Sequence, residues 1–167
     1  MQVVAYREET IPNSILTREN GQIRHFSLSG IMPAGYSLAL NVPLGTLSCL
    51  SSSDGEPRLV IQQQFTSSEL SVLLPILTSF PYYCPYEELF ASFYNGTVTE
   101  ILIEDCRQRL QDALDTGTWE QQMRPIRNVL SRVRIKMRAF GVNISPILET
   151  GYMLKAAPSP DAMAASA

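Results

Sequence analysis

The sequence predicts an α+β fold, with strands first, helices second and a short β-hairpin at the end. Three observations carry this. Between residues 36 and 64, short apolar runs alternate with turn signals. Between residues 66 and 140, apolar residues recur at steps of three and four, the period of a helix. After Gly141, two short strand-like runs flank a loop. The chain has 167 residues, room for one domain with extensions. Its 45% apolar content is enough for a core and argues against general disorder.

Residues 1–35 read as an N-terminal extension. Within them Glu19-Asn20-Gly21 is a turn signal between runs at 14–18 and 22–26, which predicts a hairpin. The domain proper spans 36–155. Ser37-Leu38-Ala39-Leu40, Thr46-Leu47-Ser48-Cys49-Leu50 and Arg58-Leu59-Val60-Ile61-Gln62 are strand-like, and Ser52-Ser53-Asp54-Gly55 turns the chain before the third run. Together they predict a small antiparallel sheet.

The first helix begins at Thr66-Ser67-Ser68-Glu69, a capping box in which the Thr hydroxyl and the Glu carboxylate satisfy free backbone donors. Leu70, Leu73, Leu74 and Leu77 follow at helical spacing, while Pro75 predicts a kink or an early end. A second helix starts at Cys84-Pro85-Tyr86-Glu87-Glu88, with acids near the positive end of its dipole. Leu89, Phe90 and Phe93 give its buried face, and Asn95-Gly96 ends it. A third covers about 99–114, with Ile103, Cys106, Leu110 and Leu114 on one stripe and Thr116-Gly117 as its close.

The fourth helix, about 123–139, is the most informative. Met123, Ile126, Leu130, Val133, Met137 and Phe140 form an amphipathic stripe. Pro125 fits only a first turn, which predicts a start at 122–124, and Gly141 supplies the stop. Runs at 142–144 and 152–155, joined by 145–151, read as two strands. The Ala/Ser/Pro-rich tail at 156–167 is predicted to be disordered.

Several function classes fall away. No run approaches the roughly 18 apolar residues that span a bilayer, and the first residues lack a signal-peptide pattern. Cys49, Cys84 and Cys106 are odd in number and far apart, which fits free thiols in a cytoplasmic protein better than a disulfide framework or a zinc site. His25 is the lone histidine and has no nucleophile or acid pattern beside it, so no enzyme is expected. Glu87-Glu88 and Glu104-Asp105 read as helix-surface acids, and Trp119 and Tyr82-Tyr83 as core or interface residues. No cofactor or metal is implied.

The formal net charge of −3 seems to exclude a nucleic-acid partner. Its distribution does not. Residues 121–148 contain no Asp or Glu and hold six of the 13 basic residues: Arg124, Arg127, Arg132, Arg134, Lys136 and Arg138. Elsewhere seven basic residues face 16 acidic ones. The chain is thus an acidic body carrying one basic helix. At about 100° per residue, Arg124, Asn128, Ser131, Arg132, Ile135 and Arg138 lie opposite the apolar stripe, flanked by Arg127, Arg134 and Lys136. Arg can clamp phosphate or fork onto guanine, and Asn can bond adenine. One buried face and one Arg/Asn/Ser face suit a recognition helix; they equally suit a solvated face that pairs with acidic protein.

Three segments in the span 36–155 resemble the OmpR-type winged-helix DNA-binding domain of bacterial response regulators. Phe65-Thr66-Ser67-Ser68-Glu69-Leu70-Ser71-Val72-Leu73-Leu74 resembles the family's first helix. Arg124-Pro125-Ile126-Arg127-Asn128-Val129-Leu130-Ser131-Arg132-Val133-Arg134-Ile135-Lys136-Met137 is similar to its recognition helix. Ile147-Leu148-Glu149-Thr150-Gly151-Tyr152-Met153-Leu154 resembles its closing wing. The resemblance implies a winged helix-turn-helix: an N-terminal antiparallel sheet, three core helices and a C-terminal β-hairpin wing. To these the segment 97–121 adds one inserted helix.

By position, the resemblance makes Arg124, Asn128, Ser131, Arg132 and Arg134 DNA-contacting candidates, with Tyr152 a packing residue. The charge map adds Arg127, Lys136 and Arg138. Two departures stand out: Arg127 takes a position commonly acidic in the family, and Glu149 stands where the wing usually carries Arg. The family's loop before the recognition helix can meet RNA polymerase, which makes 97–121 a candidate partner surface. The family usually carries a receiver domain ahead of this module. Only about 35 residues precede it here, fewer than the roughly 50 a domain needs, which implies a regulator without a phosphorylation switch or a fragment.

The function expected is sequence-specific binding of double-stranded DNA by a cytoplasmic transcription regulator, with a homodimer as one assembly. The alternative is a protein–protein interaction module of the same fold, whose basic helix docks an acidic protein surface.

Overall fold

A computed structural model describes residues 23–52 and 55–158. Four strands, β1 (Ile23–Phe26), β2 (Tyr36–Asn41), β3 (Thr46–Ser51) and β4 (Arg58–Gln64), form an antiparallel sheet in sequential order. The two-residue alternation of a strand turns Leu38, Leu40, Leu47 and Cys49 toward the core. Across β2 and β3, Leu38 opposes Cys49 and Leu40 opposes Leu47. Gly45 turns the chain between them at φ +70, and a Cβ there would run into the Phe65 carbonyl. The Phe65 amide donates back to the Gly45 carbonyl at 2.7 Å, which ties this turn to the end of β4.

β1 comes from the stretch the sequence sets apart as an extension. It pairs with β2, and Phe26, Leu28 and Met32 enter the core, so the packed sheet begins ahead of residue 36. The rest of the expected N-terminal hairpin, 14–22, lies outside the described residues, as does the tail from 159 onward. Of the expected tail, Ala156 ends a strand and the Ala157 amide donates to the Gly141 carbonyl at 2.9 Å.

α1 (Ser67–Ser79) starts on the capping box: the Glu69 amide donates to Thr66 Oγ1 at 3.2 Å and the Thr66 amide to Glu69 Oε1 at 2.8 Å. Of the kink or early end expected at Pro75, the early end does not occur, since the helix runs on to Ser79. Lacking an N–H, Pro75 leaves the Ser71 carbonyl without its helical donor. The buried Ser92 hydroxyl supplies one from the next helix, at 2.6 Å. After β5 (Cys84–Pro85) comes α2 (Tyr86–Asn95), closed by Gly96 at φ +72. The third helix is α3 (Glu100–Thr116), capped by Thr99, whose hydroxyl accepts from the Leu102 amide at 3.2 Å.

α4 (Trp119–Arg138) begins earlier than the expected 122–124, so Pro125 stands inside the helix. One contact with a distant element and one along the helix itself accompany that early start. The Trp119 ring packs edge-to-face on Tyr86, 5.3 Å away, and Glu120 pairs with Arg127. Met123, Ile126, Val129, Leu130, Val133 and Met137 are buried as the helix packs on α1 and α3. A β-hairpin follows, β6 (Val142–Ile147) and β7 (Gly151–Ala156), and β5 joins it in the order β5-β7-β6. A Cβ at Gly151 would collide with the Cys84 carbonyl, so only glycine permits this approach of β7 to β5. The described residues thus form an α+β architecture of four helices and two antiparallel sheets, packed on one apolar cluster.

Candidate nucleic-acid interface

The outer side of α4 carries what its period assigns to it. Arg124, Asn128, Ser131, Arg132, Ile135 and Arg138 are all exposed, and Arg127, Arg134 and Lys136 are half-buried along its edges. The nine fall into two groups by what they touch.

The edge residues are held by the rest of the protein. Lys136 Nζ donates to Glu69 Oε1 and to the Gln64 carbonyl, both at 2.7 Å, and lies 5.1 Å from the centre of the Phe65 ring. Arg134 Nε donates to the Ile144 carbonyl at 3.0 Å, with its guanidinium 5.7 Å from the Tyr152 ring centre. Arg127 is paired with Glu120. These three cations join α4 to the α1 cap, to β6 and to its own first turn.

The outward residues are available. Among the described residues, Arg124, Asn128 and Arg138 have no side-chain hydrogen bond or ion pair. The Ser131 hydroxyl donates to the Arg127 carbonyl at 3.0 Å and keeps its acceptor capacity. Arg132 is intermediate: its Nε lies 3.6 Å from Glu69 Oε2, yet its side chain is more than half exposed.

Glu69 is the residue the sequence reading assigned only to a cap. It is 2% exposed and faces both Lys136 and Arg132. Burial pushes its carboxyl up, but the hydrogen bonds from Lys136 and Thr66 and the charge of Lys136 together hold it below the usual value. No local signal shows a contact between residues 67 positions apart.

The hairpin lies beside α4 across a cleft of about 540 Å³, with Arg127, Ser131 and Arg134 on the helix side and Pro146 and Leu148 opposite. Its turn puts Glu149 at φ +56 and leaves Leu148 86% exposed. Tyr152 is buried against Tyr86, a packing position as expected.

Elsewhere the described residues offer little chemistry. No group of three or more His, Cys, Asp or Glu is placed to hold a metal ion among them. Cys49, Cys84 and Cys106 are free and buried, and burial, with the charge of Glu88, pushes the Cys84 thiol up to about 12. His25 is buried in β1. Tyr82 and Tyr83 are exposed, not core residues, while Trp119 packs as expected. No described helix is long and apolar enough to cross a membrane. Comparison with protein-family models, with curated proteins and with solved structures finds no match to this chain.

Proposed function

We propose that the chain is a winged-helix module that binds double-stranded DNA and acts as a transcription regulator, with α4 in the major groove and the β6–β7 hairpin as its wing. One observation carries this: the exposed side of α4 is cationic and polar, and no acid lies between residues 121 and 148. The major groove, about 12 Å wide, admits one α-helix. Arg124, Arg132 and Arg138 serve phosphate or guanine, Asn128 and Ser131 base edges. Arg127, Arg134 and Lys136 add to the positive field and hold the helix in place, since each already gives at least one donor to the protein. The acidic remainder opposes phosphate, so nonspecific affinity is modest and binding depends on correct docking of α4.

A second reading has a specific observation behind it. Arg132 already takes a carboxylate, Glu69, and Glu149 at the hairpin tip repels phosphate. An acidic protein surface would take the arginines, provided it sets a cation or a neutral group opposite Glu149.

A mobility-shift titration with mixed genomic duplex over a range of salt separates the two. Retention that falls with salt is expected. In an Arg124→Ala/Arg132→Ala variant the slope of log affinity against log salt should shrink by about 1.8, some 0.9 for each lost phosphate contact. Unchanged affinity and slope in that variant would overturn the DNA reading. No retention at low salt, with a salt-sensitive oligomer in sedimentation, would establish the second.

A further inference from the structure

The outer face of α4 holds one residue that its polar surroundings do not explain. Ile135 is 68% exposed, while the other large aliphatic side chains of α4 (Met123, Ile126, Val129, Leu130, Val133 and Met137) are all buried. At about 100° per residue, Asn128 lies only about 20° from Ile135 around the helix. Arg132 and Arg138 lie about 60° to either side, and Arg124 about 20° away. Ile135 therefore sits at the angular centre of the exposed face, with Arg132 and Arg138 as its rims.

A helix seated in the major groove points the centre of its outer face at base edges and its rims at the two phosphate backbones. The apolar group that base edges present there is the C5-methyl of thymine. We infer that Ile135 is a specificity-determining residue that packs on a thymine methyl, an assignment that rests on the DNA reading above. Ile is branched at Cβ and stiff at χ1, so its methyl groups are presented in a fixed direction. Asn128 precedes it by two helical turns, about 10.5 Å along the axis, or roughly three base-pair steps of 3.4 Å. The expected site thus carries an adenine, bonded by Asn128, and a thymine about three base pairs from it.

The test uses the intact chain and duplexes with a randomised 20-bp core. These are selected by binding, and the winning duplex is resynthesised with each thymine replaced in turn by deoxyuridine, which lacks only the methyl. At one thymine the wild-type chain should lose about fourfold in affinity, the worth of one buried methyl-sized group. Ile135→Ala should bind the parent duplex correspondingly more weakly and be indifferent to deoxyuridine at that position alone. Its unfolding curve should match wild type, because the side chain is exposed. Retention of a selected duplex with no methyl sensitivity, or sensitivity that persists in Ile135→Ala, overturns the assignment while leaving the DNA reading intact. Failure to retain any duplex overturns both.

Discussion

α3 and the α1–α4 pair are built on opposite plans. α3 is closed by its own neighbours in sequence: Thr99 caps its start, Gly117 ends it in the left-handed region, and Gln108–Asp112 and Gln111–Asp115 bonds run along its surface at 3.0 and 3.1 Å. Only Cys106, Leu110 and Ala113 are buried. α1 and α4 each contain a proline, and both are tied to other elements by side-chain bonds. Ser92 of α2 serves α1, and Lys136 of α4 reaches the α1 cap and β4. A helix satisfied locally tolerates change locally. A pair satisfied by partners transmits change, and α4, with its exposed cations, belongs to that pair.

The sharpest way to break the contrast is at Glu69. Glu69→Ala removes a capping carboxylate and the acceptor of a charged donor, and should lower unfolding free energy by about 2–3 kcal/mol in a denaturant titration. Glu69→Gln keeps the capping box, since Gln serves at that position, and should recover part of the loss. It should also change the acid limb. A carboxyl held below its ordinary value contributes stability that is present above that value and is lost as pH falls through the lowered one. Wild-type stability should therefore fall as pH drops from about 4.5, and Glu69→Gln should flatten that fall. A loss unchanged by the Gln variant would place Glu69 outside the linkage.

Ser92→Ala comes next. It leaves the Ser71 carbonyl, opposite Pro75, without a donor in a buried position, at a cost of about 1–3 kcal/mol by the same titration. Combining it with Pro75→Ala, which restores the helical N–H, should cost less than Ser92→Ala alone; equal costs would argue against the pairing of the two defects. Thr99→Ala is the smallest, about 1 kcal/mol, and should leave the salt dependence of DNA retention unchanged because the Thr99 cap is at the end of α3 far in sequence from α4. A changed salt slope there would erase the contrast between the two regions.

What was legible in the sequence follows the same divide. The capping box at Thr66 and Glu69, the stops at Gly96 and Gly117, the third helix and the exposed set Arg124, Asn128, Ser131, Arg132, Ile135 and Arg138 depend on neighbours within a few residues, and all are found where spacing puts them. What spacing missed is long-range. Pro125 forecasts a start near 122–124, but the helix begins about a turn earlier, at Trp119, whose ring is seated on Tyr86 of another helix. Pro75 forecasts a kink or an early end, yet the helix runs on to Ser79, and the Ser71 carbonyl that Pro75 leaves free accepts from a hydroxyl 21 residues away. β1 is weakly patterned on its own and becomes a strand by pairing with β2. Lys136 and Arg134 read from charge alone as surface cations, yet each is tied to backbone or carboxylate of another element.

The seating of the β6–β7 hairpin has a mechanical consequence. A hairpin joined to a domain only at its ends can swing. Here β5 pairs with β7 at Cys84–Tyr152 and Pro85–Gly151, and the Tyr86 amide donates to the Thr150 carbonyl at 3.1 Å, just short of the turn. Gly151 lets these backbones touch. Together with the Arg134 strut to Ile144, this makes α4 and the hairpin two arms of a caliper whose opening is fixed before anything enters it. The ordering cost of such an encounter falls chiefly on the exposed side chains, at roughly 0.5–1.5 kcal/mol for each one immobilised. Under the proposed function, this backbone gauge would select a target by its width.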